Sequence, residues 1–189
     1  MAMRVEASRS LLCVIDVQER LLAAMPAAEA VVSRCRRLAS AAKILGVPSV
    51  LTEQYPRGLG RTPRELADDL PAAIEKMTFS CVGSAAFMQA IDGRGHVAVL
   101  AGIETHVCVA QTALDLLGHG LGVAVCVDAV TSRHGVDHET ALRRLEAAGA
   151  VLVTSEAVLF EWCRTAEHPR FQDVRRLVVD RPPAATGGS

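Results

Sequence analysis

The feature that most constrains this chain is a repeated switch between two hydrophobic periods. Short, unbroken apolar runs that end at a polar residue alternate with longer stretches whose apolar positions recur every three or four residues. Residues 10–15, Ser-Leu-Leu-Cys-Val-Ile, form the first run, and Asp16 ends it. Apolarity that is continuous rather than alternating marks a strand buried on both faces. From about residue 29 to 45 the repeat is helical, through Val32, Cys35, Leu38, Ala42 and Leu45, and Gly46 supplies the stop. The same reading predicts strands at 47–51, 73–77, 96–101, 121–127 and 151–154. It predicts helices at 84–91, 106–117, 136–148 and 171–179, and a short one capped by Ser155 that includes Leu159 and Trp162. Residues 55–63, with Pro56, Gly58, Gly60 and Pro63, read as a loop.

Strands alternating with helices make βαβ units. The expected fold class is therefore α/β: a three-layer α/β/α, Rossmann-like domain with a six-stranded parallel sheet, right-handed crossovers and helices on both faces. The 189 residues suit one domain over 1–180, followed by a mobile Pro-, Ala- and Gly-rich tail at 181–189.

Composition excludes several classes of function. A net charge of −1 and 3% aromatics leave neither a basic stripe nor a stacking surface, so no nucleic-acid partner is expected. No apolar run reaches eighteen residues, so no membrane span is expected, and the first ten residues lack the core of a signal peptide. Six scattered cysteines, none in a CxxC pair, fit free thiols in a reducing cytoplasmic setting.

In open parallel sheets, ligands bind beyond the carboxyl ends of the strands, where the strand order reverses. The strand ends therefore name the candidates. Asp16 and Gln18 follow the first strand, and Glu53, Gln54 and Tyr55 the second. Lys76 and Phe79 come at the third, and Gly102-Ile103-Glu104-Thr105-His106-Val107-Cys108 after the fourth. Asp128, Ser155 and Glu156 stand at the last two.

With Thr105 as N-cap, Cys108 falls in the first helical turn, where the macrodipole and a neighbouring Lys stabilise a thiolate. A thiolate is a nucleophile for amides, imides and thioesters. Asp16 would take its proton, Lys76 would tune both groups, and the first N–H groups of the helix would hold an oxyanion. Each residue also has an ordinary reading. Cys108 suits a buried helix face, Asp16 a turn, and Lys76 a solvated surface. The convergence of three such residues at one sheet edge is what favours chemistry.

Other candidates are weaker. His134 and His138 have metal-chelating spacing, but Gly135 between them argues for a solvated pair. His106 is two residues from Cys108, so the two do not share a helix face; it lines the site or a subunit contact. Gly58-x-Gly60 follows the second strand, not the first, so it is no dinucleotide fingerprint. Arg57 and Arg61 in that loop suit a lid, a subunit contact or a carboxylate. Cys81 suits packing or a redox role.

Taken together, Val14-Ile15-Asp16-Val17-Gln18, Lys76 with Phe79-Ser80, and the Gly102-to-Val109 segment resemble the isochorismatase-like cysteine hydrolases. The resemblance runs from about residue 10 to 179. It is strongest with the branch called isochorismatase domain-containing proteins, through Thr52-Glu53-Gln54-Tyr55-Pro56, Gly58-Leu59-Gly60, Thr154-Ser155-Glu156 and His168-Pro169.

The resemblance implies a catalytic triad of Asp16, Lys76 and Cys108 and a strand order of 3-2-1-4-5-6. It implies an oxyanion loop of Ile103, Glu104, Thr105 and Cys108 with a cis peptide between Ile103 and Glu104. It also implies a homo-oligomer. Gln18, Glu53, Gln54, Tyr55, Phe79 and His106 are the candidate pocket residues. Metal-dependent members carry Asp-x-His after the second strand; this chain has Glu53-Gln54-Tyr55, so neither metal nor cofactor is expected. Members that cleave the vinyl ether of isochorismate need no thiol, and Cys108 argues against that reaction. The expected activity is cofactor-free hydrolysis of a small amide, imide or related acyl compound through a covalent Cys intermediate. A catalytically silent protein that binds a metabolite or a protein partner is the alternative, and metal-dependent amidohydrolysis is a third.

Overall fold

A computed structural model describes residues 4–179; the tail expected at 181–189 lies outside them. Six parallel strands make one sheet: β1 (Ser10–Ile15), β2 (Ser49–Gln54), β3 (Ile74–Lys76), β4 (Val97–Ile103), β5 (Gly122–Thr131) and β6 (Val151–Val153). Their order is β3-β2-β1-β4-β5-β6, so the reversal falls between β1 and β4. The helices are α1 (Glu19–Leu22), α2 (Ala28–Leu45), α3 (Pro56–Leu59), α4 (Arg64–Ala67), α5 (Ala85–Ile91), α6 (Ala110–Gly118), α7 (Gly135–Ala147), α8 (Ser155–Cys163) and α9 (Phe171–Val179).

Period-two alternation on β1 builds both cores at once. Leu12 and Val14 face α2, α8 and α9 through Leu38, Leu159 and Val174. Leu11, Cys13 and Ile15 face α5, α6 and α7 through Phe87, Leu116 and Leu145. Both sets are buried, which is why β1 reads as an unbroken apolar run. Gly46 ends α2 at φ +71, as its position predicts.

Several elements differ from the sequence expectation. β2 runs on through Thr52, Glu53 and Gln54, and β4 through Gly102 and Ile103. β5 extends to Thr131, with an irregularity opposite Leu100 and Gly102. Asp128 interrupts the apolar pattern of β5, but its carboxylate is satisfied by the Ser155 N–H and hydroxyl, each at 2.6 Å, and by Arg34 at 3.3 Å. The loop at 55–63 contains α3. The cap of α8 is Thr154, whose hydroxyl accepts from the Ala157 N–H at 3.2 Å; Ser155 is spent on Asp128.

One contact fixes the geometry beside the reversal. Gly102 sits at φ +128, and a Cβ there would run into the Ile15 carbonyl. β4 therefore presses on β1 at the residue preceding Asp16, and only glycine permits it.

Candidate active site

Three chain segments meet where the strand order reverses. Asp16 leaves β1 in the left-handed region, at φ 53, which costs a non-glycine residue ~1 kcal/mol or more. Its side chain is fully buried and accepts from two sides. The Thr52 hydroxyl donates to Oδ1 at 2.7 Å, and the Lys76 ammonium to Oδ2 at 2.6 Å. The negative charge of the same carboxylate also acts on the Cys108 thiol.

Lys76 ends β3 and has no solvent-exposed side-chain surface. Besides Asp16, its ammonium reaches the Gln54 side-chain oxygen at 2.9 Å, the Phe79 carbonyl at 3.0 Å and the Thr78 carbonyl at 3.2 Å. A buried charge needs such a shell, because its desolvation penalty is several kcal/mol.

Cys108 is only 6% exposed and lies in a widened turn, Thr105–Val109, that precedes α6. The cap of this turn is Glu104, not Thr105 as the sequence suggested. The Glu104 carbonyl accepts from the Val107 N–H at 3.1 Å and the Val109 N–H at 3.2 Å, so the turn is wider than an α-helical one. The Ile103–Glu104 peptide is cis, as the resemblance implied.

The thiol differs from expectation in its charge. Burial, followed by the negative charge of Asp16, pushes the Cys108 thiol well up, although Lys76 draws it down. Lys76 is paired to Asp16 itself, so little of its charge is left for the sulfur. Cys108 therefore rests as a thiol, not as the preformed thiolate that the macrodipole and the neighbouring Lys suggested.

The remaining candidates separate into two groups. Gln18 is buried and ties β2 to the loop after it. Its amide donates to the Gln54 and Gly60 carbonyls at 3.0 and 2.7 Å and accepts from the Gln54 N–H at 2.8 Å. Gln54 accepts from the Lys76 ammonium, and its own amide donates to the Met77 carbonyl at 2.8 Å. Glu53 points to the opposite face. It accepts from the Thr62 N–H at 2.7 Å and from Arg61 at 2.8 Å, and it pins the 61–62 segment. Burial raises its carboxyl, but the Thr62 N–H and then Arg61 outweigh burial and hold it below the usual value.

Tyr55 and Phe79 are exposed. Tyr55 helps line a cleft of about 330 Å³ with Pro56, Arg57, Glu75, Lys76 and Met77. The Lys76 side chain itself is fully covered, and Asp16 and Cys108 are not among the residues that line this cleft. His106 sits next to the thiol in sequence but bonds Ser132 at 3.0 Å.

Sequence reasoning missed how the cis-peptide turn is held. Glu104 accepts from the N–H and the guanidinium of Arg133, both at 3.0 Å. The Thr105 hydroxyl pairs with His138 at 2.9 Å, so His138 is a support of the turn and not half of a solvated pair. Burial keeps the His138 imidazole below its ordinary value. Thr52 was also overlooked. Its signal was available: Thr52 and Gln54 are two apart on one strand, so they share a face while Glu53 takes the other.

Among the described residues no three His, Cys, Asp or Glu side chains converge as a metal-binding group. At the two ligand positions of that Asp-x-His, Glu53 is engaged by Arg61 and Thr62, and a tyrosine, Tyr55, stands in place of the histidine. These donors do not fit a metal at that position.

Comparison with known proteins places this arrangement. The isochorismatase domain matches residues 10–157. The chain is similar to isochorismatase domain-containing protein 2 of Bos taurus, 42% identical over 182 residues, covering 95% of this chain and 88% of that one. It is also similar to isochorismatase domain-containing protein 1 of Danio rerio, 42% identical over 168 residues, which covers 86% of this chain and 58% of that one. Among solved structures it resembles the MAR1 ribonuclease of Caenorhabditis elegans, with a TM-score of 0.90 and 36% identity, covering 99% of this chain and 98% of that one. By its sequence and its fold, the chain belongs to the isochorismatase domain family.

Proposed function

We propose that this protein is a cysteine hydrolase acting on a small amide, imide or related acyl compound, with Cys108 as nucleophile. The observation that carries the reading is the buried Asp16 carboxylate, clamped by Thr52 and Lys76, whose charge acts on the buried Cys108 thiol. In the first step Cys108 Sγ attacks the acyl carbon while its proton passes to Asp16. Of the N–H groups of residues 105–108, the Val107 N–H is taken by the Glu104 carbonyl and the Cys108 N–H is not, so the Cys108 N–H holds the oxyanion. Asp16 returns the proton to the departing nitrogen, which leaves with the C–N bond electrons. Water then attacks the thioester, giving its proton to Asp16, and the thiol is restored as the acid departs. Lys76 stays paired to Asp16 Oδ2 as its buried counter-ion. No step requires a metal or cofactor.

The same reading includes a cytoplasmic setting and a homo-oligomer. All six cysteines are buried and free, which suits a reducing compartment. Tyr55, Met77 and Phe79 are exposed together around the end of β3, an apolar area suited to a second copy.

The test is turnover across a panel of small amides, imides and thioesters, with intact-mass detection of an acyl adduct. The solved Caenorhabditis elegans relative is described as a ribonuclease, so RNA belongs in the panel as a control. The reading expects turnover of an acyl compound, a transient adduct on Cys108, retention of activity in chelator and no activity in Cys108→Ala. Tight binding without turnover would favour the silent protein. RNA cleavage that survives Cys108→Ala would contradict the thiol mechanism.

A further inference from the structure

We propose that Thr52 is a positioning residue of the site, fixing the rotation of the Asp16 carboxylate through a hydrogen-bond relay that begins at Cys81. This inference rests on the cysteine hydrolase reading and extends it beyond the three triad residues.

The relay follows from counting protons. An ionised carboxylate only accepts, so the single hydroxyl proton of Thr52 is committed to Asp16 Oδ1, at 2.7 Å. The sulfur of Cys81 lies 3.7 Å from the same hydroxyl oxygen. With the Thr52 proton spent, the Cys81 S–H is the donor in that contact. Cys81 is suited to the role because it is completely buried, and burial, followed by the charge of Asp16, pushes its thiol up to about 11. It therefore keeps its proton at neutral pH.

Cys81 is itself held. Its N–H donates to the Thr112 hydroxyl at 2.9 Å, and Thr112 lies on α6 one turn beyond Cys108. A continuous chain results: Asp16 to Thr52, Thr52 to Cys81, and Cys81 to Thr112 on the helix that follows the Cys108 turn. Movement of Asp16 relative to Cys108 would have to break it. The titratable groups facing Asp16 are Lys76 from β3, Cys108 from the turn before α6 and Cys81 from the Cys81–Gly83 turn. Of these, Lys76 fixes Oδ2 and the relay fixes Oδ1.

The test is the pH profile of Cys108 alkylation by iodoacetamide, read by mass spectrometry on the full chain. A hydrogen bond to a charged acceptor is worth about a tenfold change in its ionisation equilibrium. Thr52→Val, which keeps the shape and removes the donor, is expected to move the acid limb of the profile up by about 1 pH unit. Thr52→Ser, which restores the donor, is expected to bring it back. If Thr52→Val does not fold, Cys81→Ala carries the test, with a smaller shift in the same direction. A Thr52→Val or Cys81→Ala limb that superimposes on wild type overturns the relay. An Asp16→Asn control separates the two ideas: if it also leaves the profile unchanged, the hydrolase reading itself fails.

Discussion

The Asp16 carboxylate, whose charge raises the Cys108 thiol, is clamped by Lys76 at 2.6 Å and by Thr52 at 2.7 Å. The proposed nucleophile and base follow different strands, β4 and β1, which lie side by side at the reversal of strand order. In the proposed mechanism the thiol is activated by transferring its proton within the site.

Asp16→Asn separates binding from proton transfer. General base catalysis contributes roughly 100- to 10,000-fold, and turnover is expected to fall by that order. The same change removes one of the causes that raise the Cys108 thiol, so its high-pH titration moves down. Steady-state kinetics and alkylation measured on the same variant check both directions.

Lys76→Ala leaves a fully buried carboxylate without its counter-ion. Removing one partner of a buried pair costs ~3–5 kcal/mol. Chemical denaturation is expected to show that loss, and Asp16→Asn combined with Lys76→Met is expected to recover part of it.

Gly102→Ala tests the approach of β4 to β1. The substitution forces a Cβ onto the Ile15 carbonyl and holds alanine at a positive φ. Strain and overpacking together are expected to cost ~3 kcal/mol or more. Turnover should fall as well, because Ile15 leads directly into Asp16. A variant with an unchanged denaturation midpoint would contradict this account of the glycine.

Glu53→Gln is expected to leave turnover within about threefold of wild type while lowering stability by ~1 kcal/mol. Glu53 holds Arg61 and Thr62 instead of lining the thiol. Its carboxyl is depressed in the folded state. Its contribution is therefore fully present above the unfolded value of ~4.3 and fades as pH falls through the lower folded value. Melting temperatures between pH 3 and 6 should show that dependence in wild type and not in the variant.

What was legible in the sequence was the alternation of periods. A strand buried on both faces is an unbroken apolar run, and β1 could hardly be anything else. That Asp16, Lys76 and Cys108 would gather at one sheet edge was legible because strand ends meet there. The strands that read short share one physical cause: polar residues inside them. Asp128 within β5 and Thr52 to Gln54 within β2 broke the apolar pattern, so both strands read short. Each is satisfied by partners remote in sequence, Arg34 and Ser155 for Asp128, Asp16 and Lys76 for Thr52 and Gln54. The cap at Glu104 was missed because Thr105 is the better capping residue by type, yet its hydroxyl is spent on His138. Resemblance supplied what patterns do not encode, the strand order and the cis peptide.

The most direct test of the central claim, that Cys108 is activated by Asp16, is the alkylation rate of Cys108 from pH 4 to 11 in wild type and Asp16→Asn. Proton exchange within a coupled pair gives a reactive form across the whole range between its two titrations. Wild type is therefore expected to react on a flat plateau through neutral pH, with a further rise at high pH. Asp16→Asn is expected to lose the plateau and follow a single thiol titration, reacting at least tenfold more slowly at pH 6. Identical profiles, or a variant that keeps the plateau, would contradict the account.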